Sequence, residues 1–144
     1  NLENLLLKDT SLLTPLAIAR GKVLEDWIDY NGHMNMAYYV QCFEESSDFL
    51  LEMVNLGYNY AIENQKGVFV INCEINYKKE IQLDQPFYIY LNAIECKGKK
   101  LTVDLVMNDK NNNLVASYRI VNLNVDLITK KSISFDQQII EKLS

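Results

Sequence analysis

The sequence predicts an α+β domain in which one antiparallel sheet packs against one long helix, and two patterns predict it. Between residues 35 and 56, apolar side chains recur every three or four residues, which is typical of one face of a helix. Beyond residue 66, four segments alternate between apolar and polar residues, as half-buried strands do. Turns rich in Gly or Asn join most of these segments. Because strands joined by hairpins are antiparallel, we expect one sheet that follows the helix and packs on it.

Length and composition favour one globular domain, residues 1–144, with residues 1–14 as an N-terminal extension. A chain of 144 residues with 49% apolar content is long enough to bury a sizeable core. The net charge of −5 argues against nucleic acid or an anionic membrane as partner. No apolar run is long enough to span a membrane, and no secretory signal is recognisable. One histidine and three cysteines without a C-x-x-C pair predict no metal site, reduced thiols and a cytoplasmic location.

The first half of the chain is predicted to contain a strand and the long helix, with less regular segments before and after them. Residues 1–14 form either a short amphipathic helical turn or a frayed terminus, and residues 17–26 alternate loosely, as a strand does. The long helix covers residues 35–56, and Gly57 suits its C-terminal cap because glycine adopts the left-handed conformation without steric cost. Residues 59–67 are expected to form a loop.

The second half of the chain is predicted to form four strands and a short terminal helix. In the first strand, residues 67–80, the odd positions from Phe69 to Tyr77 are apolar and indicate one buried face. The next three strands lie within 86–96, 101–107 and 114–128, and the helix lies within 135–143.

A polar loop leads into the long helix and contains Asp29, Asn31, His33 and Asn35. The first amides of a helix have no partners in the helix and attract negative charge. A carboxylate at this place can act as a nucleophile or a general base, while the amides stabilise an oxyanion. The alternative is that Asp29 and Asn31 only shape the turn and cap the helix, and the pattern alone supports both interpretations equally.

The stretch WIDYNGHMNMAYYVQCFEE, residues 27–45, resembles the signature of hot-dog thioesterases, and WIDYNGHMN is most similar to the branch that contains betainyl-CoA thioesterases. The resemblance extends over residues 15–135. It implies the hot-dog fold, in which a sheet wraps round a long central helix. In enzymes of the 4-hydroxybenzoyl-CoA type, an aspartate matching Asp29 is the catalytic carboxylate, and a tyrosine ten residues later matches Tyr39.

Plant acyl-ACP thioesterases carry a similar D-x-N-x-H-x-N run, which Asp29, Asn31, His33 and Asn35 match. Their catalytic glutamate follows a tyrosine and two basic residues, as Glu80 follows Tyr77, Lys78 and Lys79 here. The resemblance therefore implies catalytic roles for Asp29, Asn31, His33 and Glu80, with Asn31 and His33 orienting the thioester or a water molecule.

The implied reaction is hydrolysis of an acyl-CoA thioester without any cofactor, in a homodimer or homotetramer with shared sites. The amides near Asn35 and Met36 are expected to polarise the thioester carbonyl. The aromatic residues of this segment, among them Trp27, Tyr30 and Tyr39, suit a quaternary ammonium through cation–π contacts, although core packing explains them more simply. Six basic residues are candidates for binding the CoA phosphates, and we expect Lys78, Lys79 and Lys99 to do so. The alternative is that they are ordinary solvated residues of turns and strand edges.

Other chemistries have less support. No G-x-S-x-G is present, which argues against an α/β-hydrolase. Cys42 and His33 are nine residues apart and point to opposite sides of an ideal helix. Glu44 and Glu45 are expected on a solvated or interface face. An acyl-ACP thioesterase, a non-catalytic acyl-CoA-binding protein and a structural oligomer remain as alternatives.

Overall fold

The computed structural model describes residues 2–8 and 10–143 and contains one antiparallel sheet and three α-helices. The strands are β1 (Glu3–Asn4), β2 (Leu16–Lys22), β3 (Lys66–Tyr77), β4 (Pro86–Lys97), β5 (Lys100–Asp109) and β6 (Leu114–Asp126). The helices are α1 (Met36–Met53), α2 (Tyr58–Asn64) and α3 (Gln137–Leu143), with a 3-10 turn at Glu25–Trp27. The sheet order is β1-β2-β4-β5-β6-β3. The predicted α+β class and the sheet packed on a long helix are confirmed.

The long helix α1 begins where it was predicted and ends earlier. Asn35 is its N-cap and accepts a hydrogen bond from the Ala37 N–H. The helix ends at Met53, and Asn55 with φ of 63° takes the left-handed position that was assigned to Gly57. Gly57 instead precedes α2 as its N-cap, so the predicted cap at Gly57 and the predicted loop over residues 59–67 are wrong. Asparagine serves here because its side chain tolerates the left-handed conformation.

The N-terminal segment contains a short edge strand, so the helical turn, one of the two alternatives predicted there, is wrong. Residues Glu3 and Asn4 pair with Arg20 and Ala19 of β2. The leucines at positions 2 and 6 pack on the core, as expected for a docked extension. Asn1 and Asp9 of the predicted extension lie outside the described residues.

The core lies between α1 and the inner face of β4, β5 and β6. Every inward side chain of β5 is buried: Leu101, Val103, Leu105 and Met107. From the helix, Phe43 and Leu50 are fully buried against this face, and Phe43 stacks on Tyr118 of β6 with 5.0 Å between ring centroids. The alternation predicted for β5 is thus confirmed, and the helix covers this part of the sheet completely.

Strand β3 is different, because α1 leaves much of it uncovered. It pairs with β6 along one edge, and no described strand pairs with the other edge. A register shift between Val70 and Asn72 exchanges the faces on which odd and even residues lie. The odd residues after the shift therefore share a face with the even residues before it. The single buried face predicted for the odd positions is therefore wrong: Phe69 lies opposite Leu123, on the other face from Tyr77.

No helix in residues 2–8 and 10–143 has the combination of length and apolar character that crossing a bilayer demands.

Candidate active site at the start of the long helix

The turn before α1 is built by Asp29 and Gly32. The Gly32 N–H donates to the Asp29 carbonyl, and Gly32 has φ of 81°, where a side chain would be strained. The Asp29 N–H donates in turn to the His33 carbonyl. One carboxylate oxygen of Asp29, Oδ1, accepts the Asn31 N–H at 2.9 Å, and Oδ2 has no partner among the described residues. Asp29 thus shapes the turn and keeps one carboxylate oxygen for a ligand.

The amides at the helix start are not equally available. The Asn35 N–H donates to the Trp27 carbonyl at 2.8 Å, so the expectation that this amide polarises a substrate carbonyl is not met in this arrangement. The Met36 N–H belongs to the first helical residue and has no acceptor within the described chain. Because Met36 is also exposed, one oxyanion donor of the predicted pair remains, at the positive end of the helix dipole.

An open cleft of about 400 Å³ lies between this helix start and the end of β3. Eight residues line it: His33, Met34, Met36, Tyr39, Tyr77, Lys78, Lys79 and Glu80. His33 Nδ1 lies 3.1 Å from Glu80 Oε2. The structure therefore brings together two of the predicted catalytic residues that are 47 positions apart, and Glu80 points to the site rather than away from it.

Two tyrosines form the wall of the cleft. Their rings meet edge to face, with 5.2 Å between the centroids of Tyr39 and Tyr77. The Tyr77 hydroxyl donates to the Met36 carbonyl at 3.3 Å, which ties β3 to the first turn of α1. Burial raises the pKa of Tyr39, and the nearby Glu80 adds to this effect. Tyr39 therefore stays a neutral phenol at physiological pH.

The other predicted aromatic residues lie elsewhere. Trp27 is buried, stacks on Tyr38 at 5.6 Å and packs against Phe87 of β4, so it belongs to the core and not to the site. Tyr30 is at the tip of the turn with 97% of its surface exposed. Neither lines the cleft, and the simpler explanation of core packing holds for Trp27.

The predicted lysines separate into two groups. Lys78 and Lys79 both line the cleft. Lys79 is paired with Asp109 of β5 at 2.6 Å, so part of its charge is already neutralised. Lys99 lies in the turn between β4 and β5, at the far end of β5, about 30 Å from Asp109 given ~3.3 Å per strand residue. One copy of the chain therefore does not bring Lys99 to the cleft.

Sequence reasoning also assigned Glu44 and Glu45 to a solvated or interface face. Glu44 is half-buried in the single chain. Burial raises the pKa of its carboxyl, and the nearby Asp48 carboxylate adds to this effect.

Metal and thiol chemistry find no support in the described residues. No group of three or more His, Cys, Asp or Glu side chains within residues 2–8 and 10–143 has the geometry to hold a metal ion. Cys42 is buried, and burial raises the pKa of its thiol to about 12, which leaves almost no thiolate at neutral pH.

Comparison with known proteins places most of the chain in one family. Residues 23–143 match the model of the thioesterase-like superfamily. An L-carnitine dehydrogenase/betainyl-CoA thioesterase of Rhizobium meliloti is 28% identical over 130 residues, which is 90% of this chain and 26% of that protein. The chain spans about a quarter of the length of the first curated relatives that it matches.

Solved structures share the fold. A protein of Staphylococcus aureus, determined in complex with CoA, superposes with a TM-score of 0.83 at 17% identity, over 94% of this chain and 85% of that one. A protein of Pseudomonas putida KT2440, provisionally described as a thioesterase, superposes with a TM-score of 0.75 at 26% identity, over 91% of this chain and 84% of its own.

Proposed function

The chain belongs to the thioesterase-like superfamily, and from this premise we propose that it hydrolyses an acyl-CoA thioester to the free acid and CoA. The observation that carries the proposal is the cleft at the start of α1. It combines the unpaired Met36 N–H and the His33–Glu80 pair in one open space. Asp29 lies on the adjoining turn, four residues before His33, and neither Asp29 nor Asn31 is among the eight residues that line this space.

Thioester hydrolysis needs a polarised carbonyl and an activated attacking group. The Met36 N–H is the donor for the carbonyl oxygen, because it is unpaired and lies at the positive end of the α1 dipole. Asp29 is the activating carboxylate. It either attacks the carbonyl carbon directly or takes a proton from a water molecule that attacks it. Direct attack breaks the C–S bond and gives an anhydride between the acyl group and Asp29, which water then hydrolyses to the free acid, restoring the carboxylate. Attack by water gives the acid in one displacement, and the proton that Asp29 takes from the water balances the proton gained by the leaving thiolate. In both cases CoA leaves as a thiolate and is protonated to the thiol.

Four further residues support these steps. His33 and Glu80 form a pair at the mouth of the cleft, where they can hold a water molecule or the thioester. The Asn31 amide N–H fixes the Asp29 carboxylate through Oδ1 and so directs Oδ2 to the reacting group. Asn35 contributes as the cap that starts the helix. The residues of the chain supply the whole mechanism, with CoA present only as part of the substrate.

The CoA moiety is proposed to lie along Lys78 and Lys79. Both lysines line the cleft, and Lys79 is on the side that faces Asp109. The acyl group is proposed to be small and polar, such as betainyl, on the basis of the similarity to betainyl-CoA thioesterases. We place the reaction in the cytoplasm, because none of the three cysteines forms a disulfide and Cys73 is exposed as a thiol.

The working form is proposed to be a homodimer joined along β3, or a homotetramer built from two such dimers. An unpaired strand edge invites pairing, and the exposed run of β3 from residue 69 to residue 74 includes Phe69, Val70 and Ile71. Antiparallel pairing of two β3 edges reverses the partner, so the end of its sheet that carries Lys99 comes next to the cleft of the first copy. Lys99 would then serve the CoA phosphates from the second copy.

The test is a panel of acyl-CoAs, including betainyl-CoA, with the purified chain. Because Cys73 is an exposed thiol that a thiol reagent would also label, released CoA should be quantified by chromatography. We expect turnover of at least one acyl-CoA. Faster turnover of acyl carrier protein substrates would favour an acyl-ACP thioesterase, and tight acyl-CoA binding without turnover would favour a binding protein.

A further inference from the structure

The ion pair of Lys79 and Asp109 lies at the edge of the cleft. Lys79 lines the cleft, whereas Asp109 is not among the eight lining residues. Lys79 Nζ lies 2.6 Å from Asp109 Oδ2, so the lysine side chain connects the cleft to the β5–β6 turn. The ammonium group that borders the proposed path of CoA is therefore bound to a carboxylate outside the cleft.

Asp109 is held in place by the turn that it begins. Its Oδ1 accepts the N–H groups of Asn111 and Asn113, each at 2.9 Å. The Asp109 carbonyl accepts the Asn112 N–H, and Asn112 has φ of 64°, which asparagine tolerates in tight turns. The Asp109 side chain is only 11% exposed. Oδ1 thus serves the turn, and Oδ2 is the oxygen that serves Lys79.

Lys79 is held differently, because its firm contact is at the backbone. The N–H groups of Lys78 and Lys79 both donate to the Val115 carbonyl, at 2.8 and 3.2 Å, which anchors the segment after β3 to the start of β6. The Lys79 side chain is 48% exposed. Because a lysine ammonium sits on a flexible four-carbon stem, it can exchange one partner for another while its backbone stays in place.

The charges favour such an exchange when a strongly anionic ligand arrives. In the empty cleft the Asp109 carboxylate offsets the charge of Lys79, while Lys78 has no acidic partner in the part of the chain that the structure describes. A solvent-exposed ion pair contributes little to stability. Lysine binds phosphate as a point charge, so a phosphate group that carries more negative charge than one carboxylate can compete for the Lys79 ammonium.

We propose that Asp109 is a positioning residue for CoA binding, which holds Lys79 in the empty cleft and releases it to a phosphate group of CoA. The proposal rests on the proposed thioesterase function and assigns Asp109 no part in the chemical step. Because the form with a free Lys79 is a minor state of the empty chain, CoA binds more weakly than it would to an unpaired lysine. The same cost is recovered when the product CoA leaves.

The test measures the Kd of CoA itself by calorimetry, at fixed ionic strength, in a double-mutant cycle of Asp109→Asn and Lys79→Gln. The amide oxygen in Asp109→Asn can still accept the two N–H groups of the turn, so the turn should persist. We expect Asp109→Asn to lower the Kd by ~3–10-fold, because Lys79 is then free to bind phosphate. In the Lys79→Gln background the same change should alter the Kd by less than ~2-fold, since only screened repulsion by Asp109 is removed.

The matched control is Asp104→Asn. It removes the same charge from β5 and breaks the ion pair with Arg119, whose Nε lies 2.7 Å from Asp104 Oδ1. Neither residue of this pair lines the cleft, so the Kd of CoA should stay at the parent value.

The cycle separates an exchange of partners from plain repulsion. An equal decrease in Kd with and without the Lys79 ammonium would mean that Asp109 only repels CoA, and would overturn the proposal. An unchanged Kd in Asp109→Asn, or no CoA binding in any variant, would overturn it as well. If the predicted coupling appears in a chain that hydrolyses no acyl-CoA, the proposed function fails and the exchange at Lys79 stands.

Discussion

The inner face of the sheet has a closed half and an open half, and the two differ in what covers them. Over β5 the helix α1 buries every inward side chain completely. Over β3 the same face is left open, and the side chains of Val70, Cys73 and Tyr77 are exposed. The closed half holds the domain together. The open half borders the cleft, and Tyr77 at the end of β3 belongs to both.

This division explains why the chain leaves apolar side chains of β3 uncovered. A face that one helix has sealed has no room for a ligand, whereas a face left open supplies a groove but exposes apolar surface to water. In the proposed dimer, a second copy of the chain paired along β3 would resolve this conflict, because it would cover the exposed strand. The open half is therefore expected to be more important for activity and assembly than for the stability of one chain.

The largest difference between the halves should appear in stability. Leu105→Ala removes a fully buried side chain from the closed half and should lower the free energy of unfolding by about 2–5 kcal/mol. Ile75→Ala removes a partly exposed side chain from the open half and should cost well under half as much. Denaturant unfolding at low protein concentration, where copies are separated, measures both. Equal losses would show that β3 is as much a part of the core as β5.

The second prediction concerns the edge of the open half. Ile71 is 52% exposed at the centre of the uncovered run of β3, so Ile71→Lys should be tolerated by the folded chain. In a dimer joined along β3, the two introduced lysines would face each other near the symmetry axis. We expect light scattering to show a shift from dimer to monomer at micromolar concentration, with activity lost in parallel.

The control for this variant is Leu13→Lys. Leu13 is 77% exposed and lies before β2, toward the other edge of the sheet. The Leu13→Lys variant should have the same molar mass by light scattering and the same activity as the parent chain. A parent chain that is itself a monomer at micromolar concentration would contradict the proposed assembly.

The smallest effect is expected where the two halves are tied together, at the pair of Lys79 and Asp109. The Lys79 ammonium and the amides of the β5–β6 turn hold the pKa of Asp109 at about 2, below its ordinary value. A lowered folded-state pKa means that the carboxylate stabilises the fold above pH ~4 and that this contribution fades as the pH falls toward 2. Asp109→Asn should therefore lower the melting temperature modestly at pH 7 and hardly at all at pH 2. An equal shift at both pH values would contradict this assignment.

The sequence predicts the closed half better than the open half, because burial there follows from local periodicity. The alternation in β5 and the helical spacing in α1 both correspond to observed buried faces. The bulge after Val70 is not visible in the sequence, since it depends on how β3 pairs with β6, and it reverses the face on which Phe69 lies. The end of α1 was predicted wrongly because Asn55 and Gly57 both suit a left-handed residue, and the chain uses the asparagine.

The candidate site shows the same limit. The motif at Asp29 and His33 predicts the turn and the helix start, both local features. The approach of Glu80 to His33 is a tertiary contact between residues 47 positions apart, so it depends on where the end of β3 lies relative to the start of α1. The hydrogen bond from the Asn35 N–H to the Trp27 carbonyl depends on the 3-10 turn before it.

The most direct test of the account is the rate of acyl-CoA hydrolysis by Asp29→Asn. The amide oxygen of the variant can still accept the Asn31 N–H, so the turn should persist and the melting temperature should change little. Asp26→Asn, at an exposed position in the preceding 3-10 turn, is the matched control and should keep the parent rate. We predict a fall of ~10² or more for Asp29→Asn, the typical contribution of a positioned acid–base group. Hydrolysis by Asp29→Asn at close to the parent rate would reduce Asp29 to a turn residue and contradict the proposed active site.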